Sequence, residues 1–406
     1  MPRYIGYEFT GTANTTVVTS ALNGGVTDIK YNSGVWSING TDESSVYGRR
    51  IEGNWLTTTR EDPAAPAAMT FAVATYTGTG ASLDVSGLGF QPAAIAIKNR
   101  DSAGEWAWFF AGALGTGVYQ SYSRNSSNGG VEQVTDAQSV TAFNADGFTV
   151  GTSSQVNASG DDYVAYCWRA DSSSAETIDG ASTTWYYDSE SKFGYCNHDR
   201  AAGSASFAFT LTIPSASRGD DTPMVFLGVT ERNGWNPFVF HPGYTGGGSA
   251  LPNLTNAFSA TGEYFGDASG TFIAPTTSTI DIGRGIEVGT DNVSTGRDNL
   301  VVVHFAEQSG QCEHGTFTTD GSGNATVNLG LNPAMFLVKD RDNVSSWFVW
   351  DQARGINAGN DNRLTFDSTG AENAAADQID LSGQTVTING LGASRTYIYS
   401  AWSGAV

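Results

Sequence analysis

Two short stretches place a cation beside a carboxylate at the same spacing: Lys98-Asn-Arg100-Asp101 and Lys339-Asp-Arg341-Asp342. An amine, a guanidinium and a carboxylate this close could hold an anionic ligand or exchange protons with a substrate. They could equally be an Arg–Asp pair closing a strand, with the lysine stem laid on apolar surface and its head in water. The structural alternative is the expected one. Aromatic residues offer a second chemistry: Trp106, Trp108, Trp347 and Trp350 stand one or three residues apart and could stack on sugar rings. Aromatics alternating along a strand, however, usually bury one face in a sandwich core. Core is expected for Trp106 and Trp347, while Trp108 is open between core and ligand surface. Trp235 and Tyr244, in loops, are further candidates for surface recognition of a sugar.

Other chemistry is weakly signalled. The histidines His198, His241, His304 and His314 form no short-spaced set, and Cys196-Asn-His-Asp199 reads as a polar loop rather than a metal site. Cys167, Cys196 and Cys312 are odd in number and without a Cys-x-x-Cys pair, which indicates neither a disulfide framework nor zinc. Asp161-Asp162 and Asp220-Asp221 could offer Ca²⁺ hard oxygen ligands, but no calcium-loop spacing accompanies them. Glycoside cleavage needs two carboxylates roughly 5 to 10 Å apart, and dispersed residues such as Glu105, Glu231 and Glu263 leave it open. No Gly-x-Ser-x-Gly elbow, His-Glu-x-x-His, phosphate loop or dinucleotide fingerprint stands in a credible context. The sequence therefore assigns no catalytic residue, no metal and no cofactor.

The elements that must position these residues read as strands. Ala94–Lys98, Trp106–Phe110, Tyr163–Trp168, Met224–Val229, Leu300–Phe305, Phe336–Lys339 and Tyr397–Trp402 are short, β-branched and aromatic runs, bounded mostly by Gly, Asn, Asp or Ser. Helical periodicity is confined to a turn or two at Pro63–Met69 and Gly370–Gln378. Tyr163–Trp168 and Tyr397–Trp402 are apolar on both faces, which predicts central strands.

Internal repetition organises the chain. At a constant shift of 241, residues 76–106 align with 317–347 without a gap and share ten identities, against roughly two or three expected by chance at this composition. The shared residues include Gly89/Gly330, Pro92/Pro333, Lys98/Lys339, Arg100/Arg341, Asp101/Asp342 and Trp106/Trp347. Gly-x-x-Pro before an apolar run is a turn that launches a strand, because Pro fixes φ and cannot donate within a ladder. A degenerate copy lies between them: Thr222–Val229 is its post-Pro strand, Arg232 and Trp235 replace the Arg and Trp, Leu300–Phe305 closes it, and an insertion spans Thr245–Asp298. The expected fold is all-β, with tandem antiparallel, jelly-roll-like β-sandwich modules in three pseudo-repeats. The boundaries are residues 1–66 for an N-terminal region with a strand near Val35–Ile38 and a turn at Asn39-Gly40, then 67–172, 173–308 and 309–406.

Composition narrows the partners. The 406 residues carry 20 basic and 41 acidic side chains, a formal charge of -21, which disfavours nucleic acid. No apolar run approaches the length of a membrane span, and Met1-Pro-Arg-Tyr-Ile-Gly6 lacks the apolar centre of a signal peptide, so synthesis in the cytoplasm is expected.

Gly89-Phe-Gln-Pro92, the Lys-Asn-Arg-Asp that follows, Trp106, Phe143-Asn-Ala-Asp-Gly-Phe148 and Asn157-Ala-Ser-Gly-Asp-Asp-Tyr-Val-Ala-Tyr-Cys-Trp168 together resemble a β-sandwich module of virion structural and tail proteins in tailed phages, cyanophages among them. Residues 76–170 carry the likeness best, 311–406 less, and 190–306 weakly; Arg3-Tyr-Ile-Gly6 also resembles the start of some cyanophage tail proteins. The resemblance implies a non-enzymatic virion component, most often a tail fibre or appendage that meets the host. It also implies other virion proteins and host-surface polysaccharide as partners and a homo-oligomer, usually a trimer, although no heptad repeat enforces one. It carries over no catalytic residue. Capsid decoration or a head fibre, a carbohydrate-binding module without virion role, and a depolymerase are the alternatives.

Overall fold

A computed structural model describes residues 69–122, 131–178, 181–199, 208–229, 238–244, 249, 265–283, 299–356, 359, 361–373 and 376–406, together with the backbone of short strands between residues 8 and 55. The chain forms two compact units, Met1–Ala67 and Ala68–Val406. In the first, Val35–Asn39 and Asp28–Asn32 form the middle of a four-stranded antiparallel sheet, flanked by Glu8–Thr10 and Thr16–Val18. A second, two-stranded pairing joins Arg50–Ile51 to Asn54–Trp55. The glycine of the expected Asn39-Gly40 turn lies outside the described residues.

The second unit is all-β, built from three large antiparallel sheets. Each is organised around one closing strand. Asp162–Arg169 is hydrogen-bonded between Phe71–Thr77 and Pro92–Asn99, with Trp106–Phe110 next in order. Thr396–Trp402 lies likewise between Cys312–Thr318 and Met335–Asp340, with Trp347–Asp351 next. Asn299–Phe305 lies between Phe193–Asp199 and Met224–Val229, with Phe238–Phe240 next. The second sheet adds Ala181–Tyr187 and Ser172–Ile178 beyond this common order. Every residue from Tyr163 to Trp168 is buried, as a strand flanked on both sides and covered on both faces requires.

On its outer face each large sheet carries a small one. Leu83–Ser86, Gly147–Val150 and Val140–Asn144 cover the first, enclosing Ile95, Ile97, Phe109, Phe148 and Tyr163. Ala325–Asn328, Thr385–Ile388 and Ile379–Ser382 cover the third. Phe209–Thr212 and Thr279–Ile282 cover the second. Thr279–Ile282 falls inside the stretch read from sequence as an insertion; it is an outer strand of the second sandwich. Residues 370–373 and 376–378 form no helix, and among the described residues the one α-helical turn is Ser154–Asn157, capped by the Ser153 hydroxyl.

The inner faces of the three sheets meet each other. One apolar cluster takes Trp106, Trp108, Tyr166 and Trp168 from the first sheet, Tyr195, Phe226 and Phe305 from the second, and Leu337, Trp347 and Trp402 from the third. Trp168, Phe305 and Trp402 occupy the same position on the three closing strands, paired with Phe71, Phe193 and Cys312. Their rings touch mutually, with centroids 5.5, 6.4 and 5.3 Å apart. Three matching residues in mutual contact define a pseudo-three-fold centre inside one chain. The sandwiches are therefore faces of one body rather than separate beads, and each large sheet is apolar on both faces because each has two cores to line.

The body is tied shut where its ends meet. Ala405 pairs with the first strand in parallel fashion: Val73 N donates to Ala405 O at 2.9 Å and Ala405 N to Phe71 O at 3.1 Å. Gly404 permits this approach, because a Cβ there would stand 2.3 Å from Phe71 O.

Candidate functional site

The two cation–carboxylate clusters end matching strands of the first and third sheets. Lys98 and Lys339 follow buried apolar residues on the inner face and are themselves fully buried. The expected snorkelling stem with its head in water is thus corrected. Lys98 Nζ donates to Asn99 O at 3.0 Å and Thr369 O at 3.2 Å; Lys339 Nζ donates to Ser345 O at 2.7 Å and Asn343 O at 3.3 Å. Backbone carbonyls take the place of water, and burial pulls both amines down to about 8, partly offset at Lys339 by Asp340 and Asp367.

The arginines of the two clusters part company. Arg100 forms a fork with Glu372 of the third sheet's loop, Nε to Oε2 at 3.0 Å and Nη2 to Oε1 at 2.9 Å, rather than pairing with Asp101. Asp101 instead accepts from Asp162 N at 2.6 Å. Arg341 does pair with its neighbour Asp342, at 2.9 Å, on the surface. The second sheet has Gly228 in the lysine slot, and Gln120 of the first sheet approaches its carbonyl at 3.4 Å.

Thr365–Glu372 is the segment on which the first cluster closes. Trp106 Nε1 donates to Thr365 O at 3.1 Å, Gly104 N to Thr369 O at 2.9 Å, and Glu372 N to Arg100 O at 2.7 Å. Phe366 packs at 5.0 Å from Trp106 and 5.9 Å from Trp108. Behind it, the Arg354 side chain has no solvent exposure: it donates to Asp351 Oδ2 at 2.6 Å, Glu372 Oε2 at 2.9 Å and Tyr166 Oη at 3.0 Å. Tyr166 Oη donates to Asp351 Oδ2 at 2.6 Å. Burial works against both charges, yet the hydrogen bond from Arg100 and the charge of Arg354 hold the Glu372 carboxyl below its ordinary range, and Asp351, Tyr166 and Glu372 hold the Arg354 guanidinium above its own. None of this network was legible in sequence, since Tyr166 and Arg354 are 188 residues apart; the one signal was the Lys-x-Arg-Asp position shared by the two repeats.

The Gly-x-x-Pro steps act as turns. Gly89, at φ +79°, donates its N–H to Asp146 Oδ1 at 2.6 Å, and Pro92 opens the strand Pro92–Asn99. Gly330 N donates to Glu313 Oε2 at 2.5 Å, and Pro333 O accepts from Gln352 Nε2 at 2.7 Å just before Met335–Asp340.

The aromatic platform is not at a surface. Trp106, Trp347 and Trp350 are buried; Trp108 is too, stacked on Trp168 with centroids 5.5 Å apart. Trp108 is therefore a core residue and not a recognition residue. Tyr244 is half-buried and packs on the central cluster; Trp235 lies outside the described residues, as do Arg232, Glu231 and Glu263. A polar cleft lined by Asn99, Ser102, Gly104, Asp136, Gln155 and Asp161 opens beside the first cluster. Three of its side chains are engaged with one another, Asp161 Oδ2 accepting from Asn99 Nδ2 at 2.8 Å and Ser102 Oγ at 2.9 Å, while Gln155 Nε2 donates to Glu105 O at 2.9 Å.

The thiols of Cys167, Cys196 and Cys312 are buried, and burial pushes each up. His198 is held against Thr183 Oγ1 at 2.7 Å. Among the described residues no group of three His, Cys, Asp or Glu side chains is placed to hold a metal, and no helix is long and apolar enough to cross a membrane. Residues 66–405 match the family model described as a domain of unknown function, DUF7483. No curated protein matches the chain.

Proposed function

This chain belongs to the DUF7483 family, and we propose that it is a non-enzymatic structural component of a tailed-phage virion, a tail fibre or tail-attached part involved in host attachment. One observation supports this most. The groups that could do chemistry, Lys98, Arg100, Trp106 and their third-sheet counterparts Lys339 and Trp347, are buried or engaged in holding the body together. The likeness of residues 76–170 to phage tail modules supplies the virion context. Other virion proteins are its proposed partners, with host-surface polysaccharide met by the loops. The body completes its own central core, so association into a trimer is assigned to residues 1–66, the proposed attachment region.

Locating the chain in purified particles by cryo-EM, with copy number from quantitative mass spectrometry against the major capsid protein, tests the reading. A few copies at the tail are expected. Hundreds on the head would replace it with capsid decoration, and absence from particles would replace it with a free sugar-binding protein. Particles that still incorporate the chain after residues 1–66 are deleted would remove the attachment role.

A further inference from the structure

His241 and His314 face each other across the seam between the second and third sheets, with ring centroids 5.5 Å apart. Both are buried, and their partners fix which nitrogen carries the proton. Gly243 N donates to His241 Nδ1 at 3.0 Å, so Nε2 carries the hydrogen and donates to Tyr399 O at 2.9 Å, with Ser400 Oγ 3.2 Å away. His314 Nε2 donates to Phe305 O at 2.8 Å, which leaves Nδ1 to accept from Ser400 Oγ at 2.8 Å. The sequence Gly243, His241, Ser400, His314, Phe305 is a satisfied neutral relay. A proton added to His241 Nδ1 would set N–H against N–H. One added to His314 Nδ1 would turn the Ser400 hydroxyl toward Met224 Sδ, 3.2 Å away, and leave a cation in an apolar seam.

The charged and titratable groups around the relay do little to compensate. On the strand of His314 stand Cys312, 3.8 Å from Nε2, and Glu313, which accepts from Tyr399 Oη of the neighbouring strand at 2.6 Å. From the second sheet's loops Asp221 favours the charged form of His314, but burial outweighs it and draws that ring down to about 4. Burial and His314 likewise draw His241 far down, against Tyr399 O. Glu307 is raised by burial and by Asp221, Glu313 and Asp220, so it too gains a proton readily on acidification.

We propose that this seam is an acid-operated latch: proton uptake by the His241–Ser400–His314 relay parts Phe238–His241 from Cys312–Thr318 and Thr396–Trp402, while the seam between the third and first sheets stays closed. The proposal does not depend on the virion reading.

The cysteines report on it, because Cys312 lies in the shared cluster while Cys167 and Cys196 lie in the outer cores of the first and second sandwiches. The full chain is labelled with 4,4′-dithiodipyridine from pH 7 to pH 4, each rate being normalised to unfolded chain at the same pH and read by peptide mass spectrometry. Cys312 is expected to label about tenfold faster or more at pH 4 than at pH 7, with Cys167 and Cys196 still protected. Replacing the relay with hydrogen-bonding, non-titrating residues, His241→Asn with His314→Gln, is expected to flatten that response. A constant Cys312 rate, simultaneous exposure of all three thiols, or an undiminished response in the variant would each overturn the latch; if the variant does not fold, the wild-type comparison of three thiols decides.

Discussion

The third sheet touches its two neighbours through seams of different chemistry. Toward the first sheet, Arg354 and Arg100 share Glu372, Asp351 is buried beside them, and Tyr166 closes the network. Toward the second sheet, neutral histidines and a hydroxyl pass hydrogen bonds from one backbone to the other. At the shift of 241, Asp351 stands where the first repeat has Phe110. One sheet geometry thus tolerates a ring at one seam and a buried ion pair at another, provided every buried charge finds its partner. The two seams also answer acid differently. His241 and His314 are both held below their ordinary range, so their seam is fully stable above about pH 6.5 and loses stability as pH falls from there, toward a folded value of about 4 at His314. Glu372 is a carboxylate held low, so its contribution is present above the ordinary glutamate value and is lost only as pH falls through the lower folded one.

The contrast breaks most visibly at Arg354. Arg354→Ala leaves Asp351, with no exposed side chain, uncompensated in the interior and is expected to lower unfolding stability by about 3–5 kcal/mol, measured by chemical denaturation. A triple variant, Tyr166→Phe with Asp351→Phe and Arg354→Met, replaces the buried Arg354–Asp351 pair by apolar side chains while leaving the Arg100–Glu372 fork, and is expected to recover most of that loss. Failure to recover would mean that the ion pair is needed for the fold and not merely tolerated by it. Next in size, Glu372→Gln keeps the shape but weakens both guanidinium bonds, and a loss of about 1–3 kcal/mol is expected. The part of the pH dependence below about 4.5 that Glu372 supplies should disappear with its charge, which an acid titration of the unfolding midpoint, compared with the unaltered chain, reads. The smallest effect belongs to Arg341→Ala. Arg341 pairs with an exposed neighbour rather than with another sheet, and a change of at most about 1 kcal/mol is expected. A loss as large as that of Arg100→Ala would show that the two repeat arginines do the same work after all.

Much of the fold was legible in the residues, and the site was not. The closing strands announced themselves because Tyr163–Trp168 and Tyr397–Trp402 have no polar face, and the shared Lys, Arg and Trp positions exposed the repetition. Two-faced apolarity is equally compatible with a central strand in an isolated sandwich, so the shared core could not be read from it. Trp108 was ambiguous for that reason: alternation places it on one face of a strand, and it takes Phe226 and Phe366, 6.2 and 5.9 Å away and both from outside its own sheet, to decide that this face is covered. Lys98 was misread because its acceptor, Thr369 O, is 271 residues distant, and a sequence shows an amine without showing which carbonyls will surround it. The histidine relay was missed because its members come from two sheets and gain meaning from tautomers that their neighbours impose.

The parallel pairing of Ala405 with Phe71 and Val73 also decides how the body carries load. Force applied through residue 68 draws the first strand toward its own start, and force applied through residue 406 draws the last segment toward its own end. Parallel strands pulled in these senses slide along each other, so both hydrogen bonds are strained together instead of peeling apart in turn. Tension across the body therefore meets a shear clamp at the point where its two ends lie side by side.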